Sequence, residues 1–138
     1  MEFAWPIRVY YEDTDAGGVV FYANYLRYLE RARSEWLRSL GFEQDALMQD
    51  PGILFAVRRV EVDYERPARF NEQLNVLSTV QGCRGASLDF AQRVERVSDG
   101  AVLCRAVVRV ACIDAQNMRP ARIPAAIRDK LQASEQDH

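Results

Sequence analysis

The stretch YYEDTDAGGVVFYANYLRYLERARSEWL, Tyr10–Leu37, runs from a polar turn with two glycines directly into a long helical pattern. After Asn24 the apolar residues recur at spacings of three and four, which is the period of a helix with one buried face. That stripe consists of Leu26, Leu29, Ala32 or Arg33, Trp36, Leu37 and Leu40. We therefore predict a helix over residues 24–40, about 25 Å long, with Asn24 as its N-cap and Gly41 just beyond its C-terminus.

The segments on either side of this helix alternate apolar and polar residues, which is the two-residue period of β-strands. One strand is predicted before the helix and four after it in meander-like succession, with Ser98-Asp99-Gly100 as a hairpin turn. The predicted strands are 7–11, 59–65, 74–80, 88–97 and 102–113, and short helices are predicted over 43–49 and after Pro124. Strands gathered around one long helix indicate an α+β fold with an antiparallel sheet.

A single sheet covers only one side of such a helix, and its other face and its edges need cover from elsewhere. Self-association provides that cover, so the pattern predicts a homo-oligomer, either a dimer or a larger assembly. The 138 residues suit one domain, which we assign to residues 1–132. The polar residues 133–138 are expected to form a disordered tail.

The composition argues against several classes of protein. Eighteen basic and twenty acidic side chains give a net charge of −2, which leaves no excess of positive charge for binding nucleic acid. No apolar run reaches the roughly 20 residues that span a bilayer, and no signal peptide is recognised, so a cytoplasmic location is predicted. Cys83, Cys104 and Cys112 cannot all pair with one another, and we expect them to be reduced core thiols.

The chain has one histidine, His138, which lies in the predicted tail. Catalysis by a Ser–His–Asp or Cys–His arrangement therefore lacks its base, and zinc sites built on histidine lack their ligands. The sequence also lacks the GxSxG, P-loop and GxGxxG motifs. Any chemistry must rest on carboxylates, backbone N–H groups and tyrosine.

The turn EDTDAGG places two acidic side chains and two glycines shortly before the predicted helix. A helix N-terminus presents free N–H groups that favour negative charge, so it can hold an oxyanion beside a carboxylate that attacks or activates water. The alternative is that Asp13 and Asp15 only cap turns, while Gly17 and Gly18 only permit a positive φ. The residues alone leave both interpretations open.

Four segments together resemble the 4-hydroxybenzoyl-CoA thioesterase family, and most closely its YbgC-like branch, which is associated with the Tol-Pal system. They are the stretch quoted first, VEVDYERPARFNEQLNV, CRGASLDFAQRV and MRPARIP, in the same order and at similar spacing. The resemblance implies the hotdog fold, in which a five-stranded antiparallel sheet wraps around one long helix. It also implies dimers, and often homotetramers, with active sites at the interface between subunits.

The resemblance identifies Asp15 as the catalytic carboxylate, which attacks the thioester carbonyl directly or through a water molecule. It implies that the backbone N–H of Tyr22 stabilises the oxyanion and that Gly17 and Gly18 let the acyl group approach the backbone. Many members of the Tol-Pal-associated branch carry histidine at the position of Tyr22, so a role for that imidazole does not transfer, whereas a backbone donor does. The Tyr22 side chain is expected either to pack at the helix start or to take a direct part.

Coenzyme A carries phosphate groups, so its binding requires cations, and its acyl end requires an apolar slot. The resemblance implies Arg84 with Ser87, and Arg119, as residues that bind this part of the substrate. Arg122 is a further candidate. Coenzyme A enters as part of the substrate, and no metal ion or redox cofactor is expected.

These features predict an acyl-CoA thioesterase that releases a free acid and CoA. The alternative is a non-catalytic protein of the same fold that binds acyl thioesters or serves as a scaffold. A third hypothesis is a dehydratase of this fold. Such enzymes use an active-site histidine, which argues against this hypothesis. The expected partners are acyl-CoA and further copies of this chain, and an acyl carrier protein or a peripheral association with the inner membrane are additional candidates.

Overall fold

Helix α1, Asn24–Ser39, lies across one face of a five-stranded antiparallel sheet in this computed structural model, which describes residues 2–136. The strands are β1 Phe3–Arg8, β2 Ile53–Tyr64, β3 Gln73–Arg84, β4 Ser87–Arg96 and β5 Val102–Asp114. Their order across the sheet is β1-β3-β4-β5-β2. Two shorter helices, α2 Gln44–Gln49 and α3 Ala125–Gln136, complete the fold. The predicted α+β class and the five-stranded sheet are confirmed.

The apolar stripe of α1 packs on the sheet, where it contacts β1 and β3. Leu29 and Ala32 are fully enclosed, and the ring of Trp36 meets Phe90 of β4 edge-on with centroids 5.7 Å apart. Arg33 lies on the same buried face and is only 8% exposed. The helix therefore carries one charged side chain into a largely apolar layer.

The prediction for the N-cap of α1 is wrong, whereas the prediction for its C-terminus is correct. Ala23 precedes the helix, and Asn24 uses Nδ2 to donate to the carbonyl of Asp13 at 2.8 Å. That bond ties the incoming turn to the helix instead of satisfying the helix's own N–H groups. At the other end Gly41 has a φ of +96°, the left-handed conformation that favours glycine after a helix, as predicted.

Strand β2 begins at Ile53, well before the predicted start at Arg59. Its register with β5 shifts between Val57 and Arg59, where a β-bulge adds a residue to one strand. Side chains on the face shared with the core have odd numbers before the bulge, as in Val57, and even numbers after it, as in Val60. A two-residue alternation cannot be followed through such a change, so the sequence showed only the second half of the strand.

Strand β1 also lies earlier than predicted, at Phe3–Arg8 instead of 7–11. It contains Pro6, which has no backbone N–H, and it pairs only with β3. Proline is tolerated on such an edge strand, so Pro6 continues the strand that it was expected to precede. Tyr11 starts a short 3₁₀ turn, Tyr11–Asp13.

The predicted meander is correct for three strands and wrong for the fourth. Strands β3, β4 and β5 are sequential neighbours, and Gly100 sits in the expected turn with a φ of +69°. Strand β2 instead lies beside β5 at the far edge of the sheet. It is an edge strand of 12 residues, and α1 leaves it partly uncovered, since Val57 is 50% exposed.

Cys104 and Cys112 are buried on one face of β5, as expected, and no disulfide joins the three cysteines, all of which lie within residues 2–136. Burial raises the pKa of Cys104 to about 12, so this residue stays protonated near neutral pH. Helix α3 continues to Gln136, past the predicted boundary at 132, while 137 and 138 of the predicted tail lie outside the described residues. Within residues 2–136, no helix has the length and apolar character that crossing a membrane requires.

Candidate active site

The turn that precedes α1 holds Asp15 in a defined geometry at the protein surface. Its backbone N–H donates to the carbonyl of Val19 at 2.9 Å, and its own carbonyl accepts from the N–H of Gly18 at 3.0 Å. Its carboxylate oxygen Oδ1 accepts from the N–H of Gly17 at 2.8 Å. No residue between 2 and 136 hydrogen-bonds to Oδ2, which leaves one exposed carboxylate oxygen for water or a ligand.

Asp13, the other acid of this turn, is buried and anchors the turn to the helix start. Its Oδ2 accepts from the N–H of Tyr10 at 2.9 Å, and its carbonyl accepts from the N–H of Phe21 at 2.9 Å and from the side chain of Asn24. Burial, together with the neighbouring Asp13 carboxylate, raises the pKa of Tyr28. The two acids thus differ in role: Asp13 holds the turn together, and Asp15 faces solvent.

The backbone just before α1 offers free hydrogen-bond donors. The N–H of Phe21 is taken by Asp13, and the N–H of Asn24 donates to the carbonyl of Phe21 at 2.8 Å. For the N–H groups of Tyr22 and Ala23, which lie between them, the described part of the chain supplies no acceptor. These donors stand at the positive end of the helix dipole, where a negatively charged oxygen is favoured.

Aromatic side chains form a wall beside these donors. Tyr22 is 63% exposed, and its ring meets the ring of Tyr64 edge-on, with centroids 6.0 Å apart. The ring of Tyr25 lies 5.6 Å from that of Tyr64, and its hydroxyl accepts from the backbone N–H of Ala68 at 2.9 Å. These rings line an open cavity of about 250 Å³. Its other lining residues are Val20, Glu65, Arg66 and Pro67.

The sequence did not single out Tyr25 or Tyr64 as site residues. Tyr64 occupies one more apolar position of an alternating strand. Tyr25 was left out of the predicted stripe in favour of Leu26, but Tyr25 is buried and Leu26 is exposed. Only the pairing of β2 with β5 and the course of the turn bring the ring of Tyr64 against those of Tyr22 and Tyr25. No local pattern carries that information.

The residues expected to bind coenzyme A lie on the β3–β4 hairpin and beside it. Arg84 and Ser87 line a polar cavity of about 560 Å³, together with Asp89 and Arg109. Arg109 neutralises Asp89 through two hydrogen bonds of 2.9 and 3.0 Å. Arg84 forms no ion pair with any described residue. It therefore supplies the uncompensated positive charge in this cavity.

Arg119 belongs to an extended segment that passes the same hairpin. Its carbonyl accepts from the N–H of Asp114 at 2.8 Å, and further along the N–H of Ile123 donates to the carbonyl of Gly85 at 2.9 Å. Across the described range 2–136, no acidic group pairs with the guanidinium of Arg119. Arg84 and Arg119 therefore form a basic end of the sheet, and Arg122 follows in the same segment.

This basic end is far from Asp15 within one chain. The N–H of Val20 donates to the carbonyl of Ala68 at 2.8 Å, which places the Asp15 turn beside the residues that lead into Gln73. From Gln73 to Arg84, β3 spans 12 residues, or roughly 36 Å at 3.3 Å per residue. The predicted site residues therefore form two groups, which are Asp15, Gly17, Gly18 and Tyr22 at one end of the sheet and Arg84, Ser87 and Arg119 at the other.

Known proteins share this sequence and this fold. The sequence profile of the Thioesterase-like superfamily matches residues 9–131. The acyl-CoA thioester hydrolase YbgC of Escherichia coli O157:H7 is 45% identical over 125 residues, which cover 91% of this chain and 92% of that protein.

Solved structures show the same arrangement of strands and helices. A probable thioesterase from Bartonella henselae superposes with a TM-score of 0.84 at 33% identity, over 90% of this chain and 100% of that one. A 1,4-dihydroxy-2-naphthoyl-CoA thioesterase from Synechocystis superposes with a TM-score of 0.90 over 100% and 99%, and at 21% identity this likeness shows the fold alone. The chain therefore belongs to the thioesterase-like superfamily and has its hotdog fold.

Proposed function

We propose that this protein hydrolyses acyl-CoA thioesters to a free acid and CoA, without a metal ion or a redox cofactor. The observation that carries the proposal is the pairing of an exposed, oriented carboxylate with free backbone donors at a helix start. Asp15 has Oδ1 held by Gly17 and Oδ2 open, and the N–H of Tyr22 has no acceptor among residues 2–136. The E. coli relative named above, an acyl-CoA thioester hydrolase, supports the same substrate class.

The proposed chemistry needs one carboxylate and one oxyanion site. The carbonyl oxygen of the thioester accepts hydrogen bonds from the N–H of Tyr22, which stabilise the negative charge that develops on it. Asp15 either attacks the carbonyl carbon or removes a proton from the attacking water. In the direct route the C–S bond breaks as a mixed anhydride forms between Asp15 and the acyl group, and water then hydrolyses this anhydride. In both routes the hydroxyl of water ends on the acyl carbon, and its remaining proton ends on the thiol of CoA.

We further propose that a complete site contains two chains. Pairing of the free edge of β2 with the same edge of a second copy, antiparallel about a two-fold axis, reverses the second sheet end for end. The Asp15 turn of one protomer then approaches Arg84, Ser87 and Arg119 of the other. A dimer is the smallest assembly with complete sites, and the homotetramer stays a prediction.

The test of this function is release of free thiol from a panel of acyl-CoA substrates. Turnover that depends on Asp15 supports an esterase. Tight binding of acyl-CoA with no thiol release, by protein that is folded and oligomeric, would instead support the binding or scaffold alternative.

Binding to an acyl carrier protein, association with the inner-membrane surface and a cytoplasmic location remain predictions. Buried thiols outside any disulfide, such as that of Cys104, suit a reducing compartment.

Gly17→Ala is expected to lower kcat about 10- to 100-fold, because small displacements of a catalytic group have effects of that order. A Cβ at Gly17 would lie 3.2 Å from Oδ1 of Asp15, closer than ordinary contact, so the carboxylate must move. Thiol release under saturating substrate measures the effect, and an unchanged midpoint of thermal unfolding shows that it is local. Unchanged kcat would contradict the proposed position of Asp15.

Arg84→Ala and Arg119→Ala are expected to raise KM for acyl-CoA, and added salt is expected to raise the wild-type KM, because the contacts are ionic. A thioester truncated to the pantetheine arm lacks the nucleotide phosphates and should respond much less to either substitution. Arg31→Ala, on the exposed face of α1, is the matched control. Equal effects on the full and the truncated thioester would show that neither arginine binds the phosphates.

A further inference from the structure

Arg33 is held in a fixed position inside the molecule. Its Nη1 donates to Oε1 of Gln92 at 2.9 Å. The amide nitrogen of Gln92 in turn donates to Oγ of Ser78 at 2.9 Å and to the carbonyl of Leu29 at 3.1 Å. Gln92 and Ser78 are buried as well, so this network sets the direction of the guanidinium.

The charge of Arg33 has no counter-ion within residues 2–136, although buried charges are normally paired. Glu30 lies one helical turn away, lines the same cavity as Arg33 and attracts it through space without forming an ion pair. Burial lowers the pKa of Arg33 to about 10, so the group remains a cation at neutral pH. A guanidinium has five N–H donors, and only one bond, to Gln92, is made with this part of the chain.

Arg33 also lines a cavity of about 230 Å³ between α1 and the β2 side of the sheet. Its walls also include the acidic side chain of Glu30 and six apolar residues, which are Leu37, Phe55, Val57, Leu88, Phe90 and Val110. A hydrogen bond of 2.9 Å from Gln44 to Ser34 crosses its rim. A cavity of about 150 Å³ is enough for a benzene-sized guest. This one therefore has room for a chain of about six carbon atoms.

The cavity lies away from the Asp15 turn of its own chain. Val57 pairs with Val110, whereas Tyr64, which borders the Asp15 site, pairs with Cys104 seven residues further along β2. Seven residues of strand span about 23 Å. In the two-fold arrangement proposed above, the Asp15 turn of the second protomer comes to this half of β2, so the cavity opens toward that protomer's carboxylate.

We infer that this cavity receives the acyl chain, and that Arg33 binds a carboxylate at the far end of that chain. The inference rests on the proposed function and specifies its substrate class: thioesters of short dicarboxylic acids, about six carbons long. The apolar walls contact the methylene groups, and the unpaired guanidinium supplies charge-assisted hydrogen bonds to the terminal carboxylate. A plain fatty acyl chain of equal length would leave this cation buried and unpaired.

The test compares adipyl-CoA with hexanoyl-CoA, which have equal chain length and differ in the terminal carboxylate. Wild-type protein should show kcat/KM at least about tenfold higher for adipyl-CoA, since one hydrogen bond to a charged group has effects of this size. Arg33→Met should reverse the preference, and Arg33→Lys should retain part of it. Arg31→Met, an exposed position on the same helix, should leave the ratio unchanged.

The ratio of two substrates on one preparation is independent of the fraction of folded protein, so partial misfolding of a variant does not obscure it. A wild-type preference for hexanoyl-CoA, or a ratio that Arg33→Met leaves unchanged, would overturn the inference. Cleavage of other acyl-CoA substrates but of neither of these two would overturn the inference and leave the proposed function standing. Failure to cleave any acyl-CoA would overturn both.

Discussion

Asp15→Asn is expected to abolish turnover while leaving the fold and substrate binding nearly intact. Asparagine has the same shape and its amide oxygen can still accept the 2.8 Å bond from the N–H of Gly17, so the turn should keep its geometry. An amide is neither a carboxylate nucleophile nor an effective base. Loss of general-base catalysis alone lowers rates about 10²- to 10⁴-fold, and loss of a nucleophile can lower them further. Thiol release measures turnover, and a non-hydrolysable acyl-CoA analogue measures binding.

The matched control is Glu12→Gln, because Glu12 is an exposed acid three residues from Asp15 in the same turn. Asp13, which the resemblance gives no chemical role, is a poor control because it is buried and hydrogen-bonded to Tyr10. The control should keep wild-type kcat. If Asp15→Asn retains more than about a tenth of wild-type kcat, less loss than the smallest expected effect, the mechanism proposed here is wrong.

Two inactive variants are expected to restore activity when their subunits are mixed. One variant carries Asp15→Asn, and the other carries Arg84→Glu and Arg119→Glu at the opposite end of the sheet. Because a complete site takes Asp15 from one protomer and the arginines from the other, each mixed dimer has one intact site and one doubly defective site. Random association at equal amounts makes half of the dimers mixed, so activity should recover to about a quarter of wild type.

The measurement is thiol release after co-refolding or co-expression of the two variants, with light scattering to verify assembly. The control mixes the same Asp15→Asn chain with a chain carrying all three substitutions, which offers no intact site. No recovery in a mixture that contains mixed dimers would show that each site lies within a single chain. A protein that scatters as a 15.8 kDa monomer at micromolar concentration would contradict the arrangement directly.

The fold was predictable largely because one stretch combines several agreeing signals. The helical period, the glycine at 41 and the alternation of later strands point to the same architecture, and the structure has it. The wrong predictions concern features that depend on contacts between residues far apart in the sequence. The bulge beyond Val57 changes which side chains face the core, and the edge position of β2 depends on its pairing with β5.

For the site, residue types and spacing indicated the turn around Asp15 but did not distinguish Asp13 from Asp15, and only the family resemblance assigned the chemical role to Asp15. The structure adds that Asp13 is buried whereas Asp15 is exposed. Arg33 gave a usable signal, since a charged residue at a position of the apolar stripe implies either a shifted register or a buried cation. No signal in the sequence indicates the distance between Asp15 and Arg84, because that distance depends on the direction of every strand between them.

The separation of the two groups of residues has an evolutionary consequence. In the proposed dimer, Arg33 on α1 and Arg84 at one end of the sheet recognise the substrate, and the opposite end of the partner's sheet carries the carboxylate that breaks its bond. Substitutions that change the preferred acyl group can therefore accumulate around Phe55 and Val57 without touching the Asp15 turn on the same chain. A gene with this architecture can diversify its substrates while its catalytic turn remains under unchanged selection.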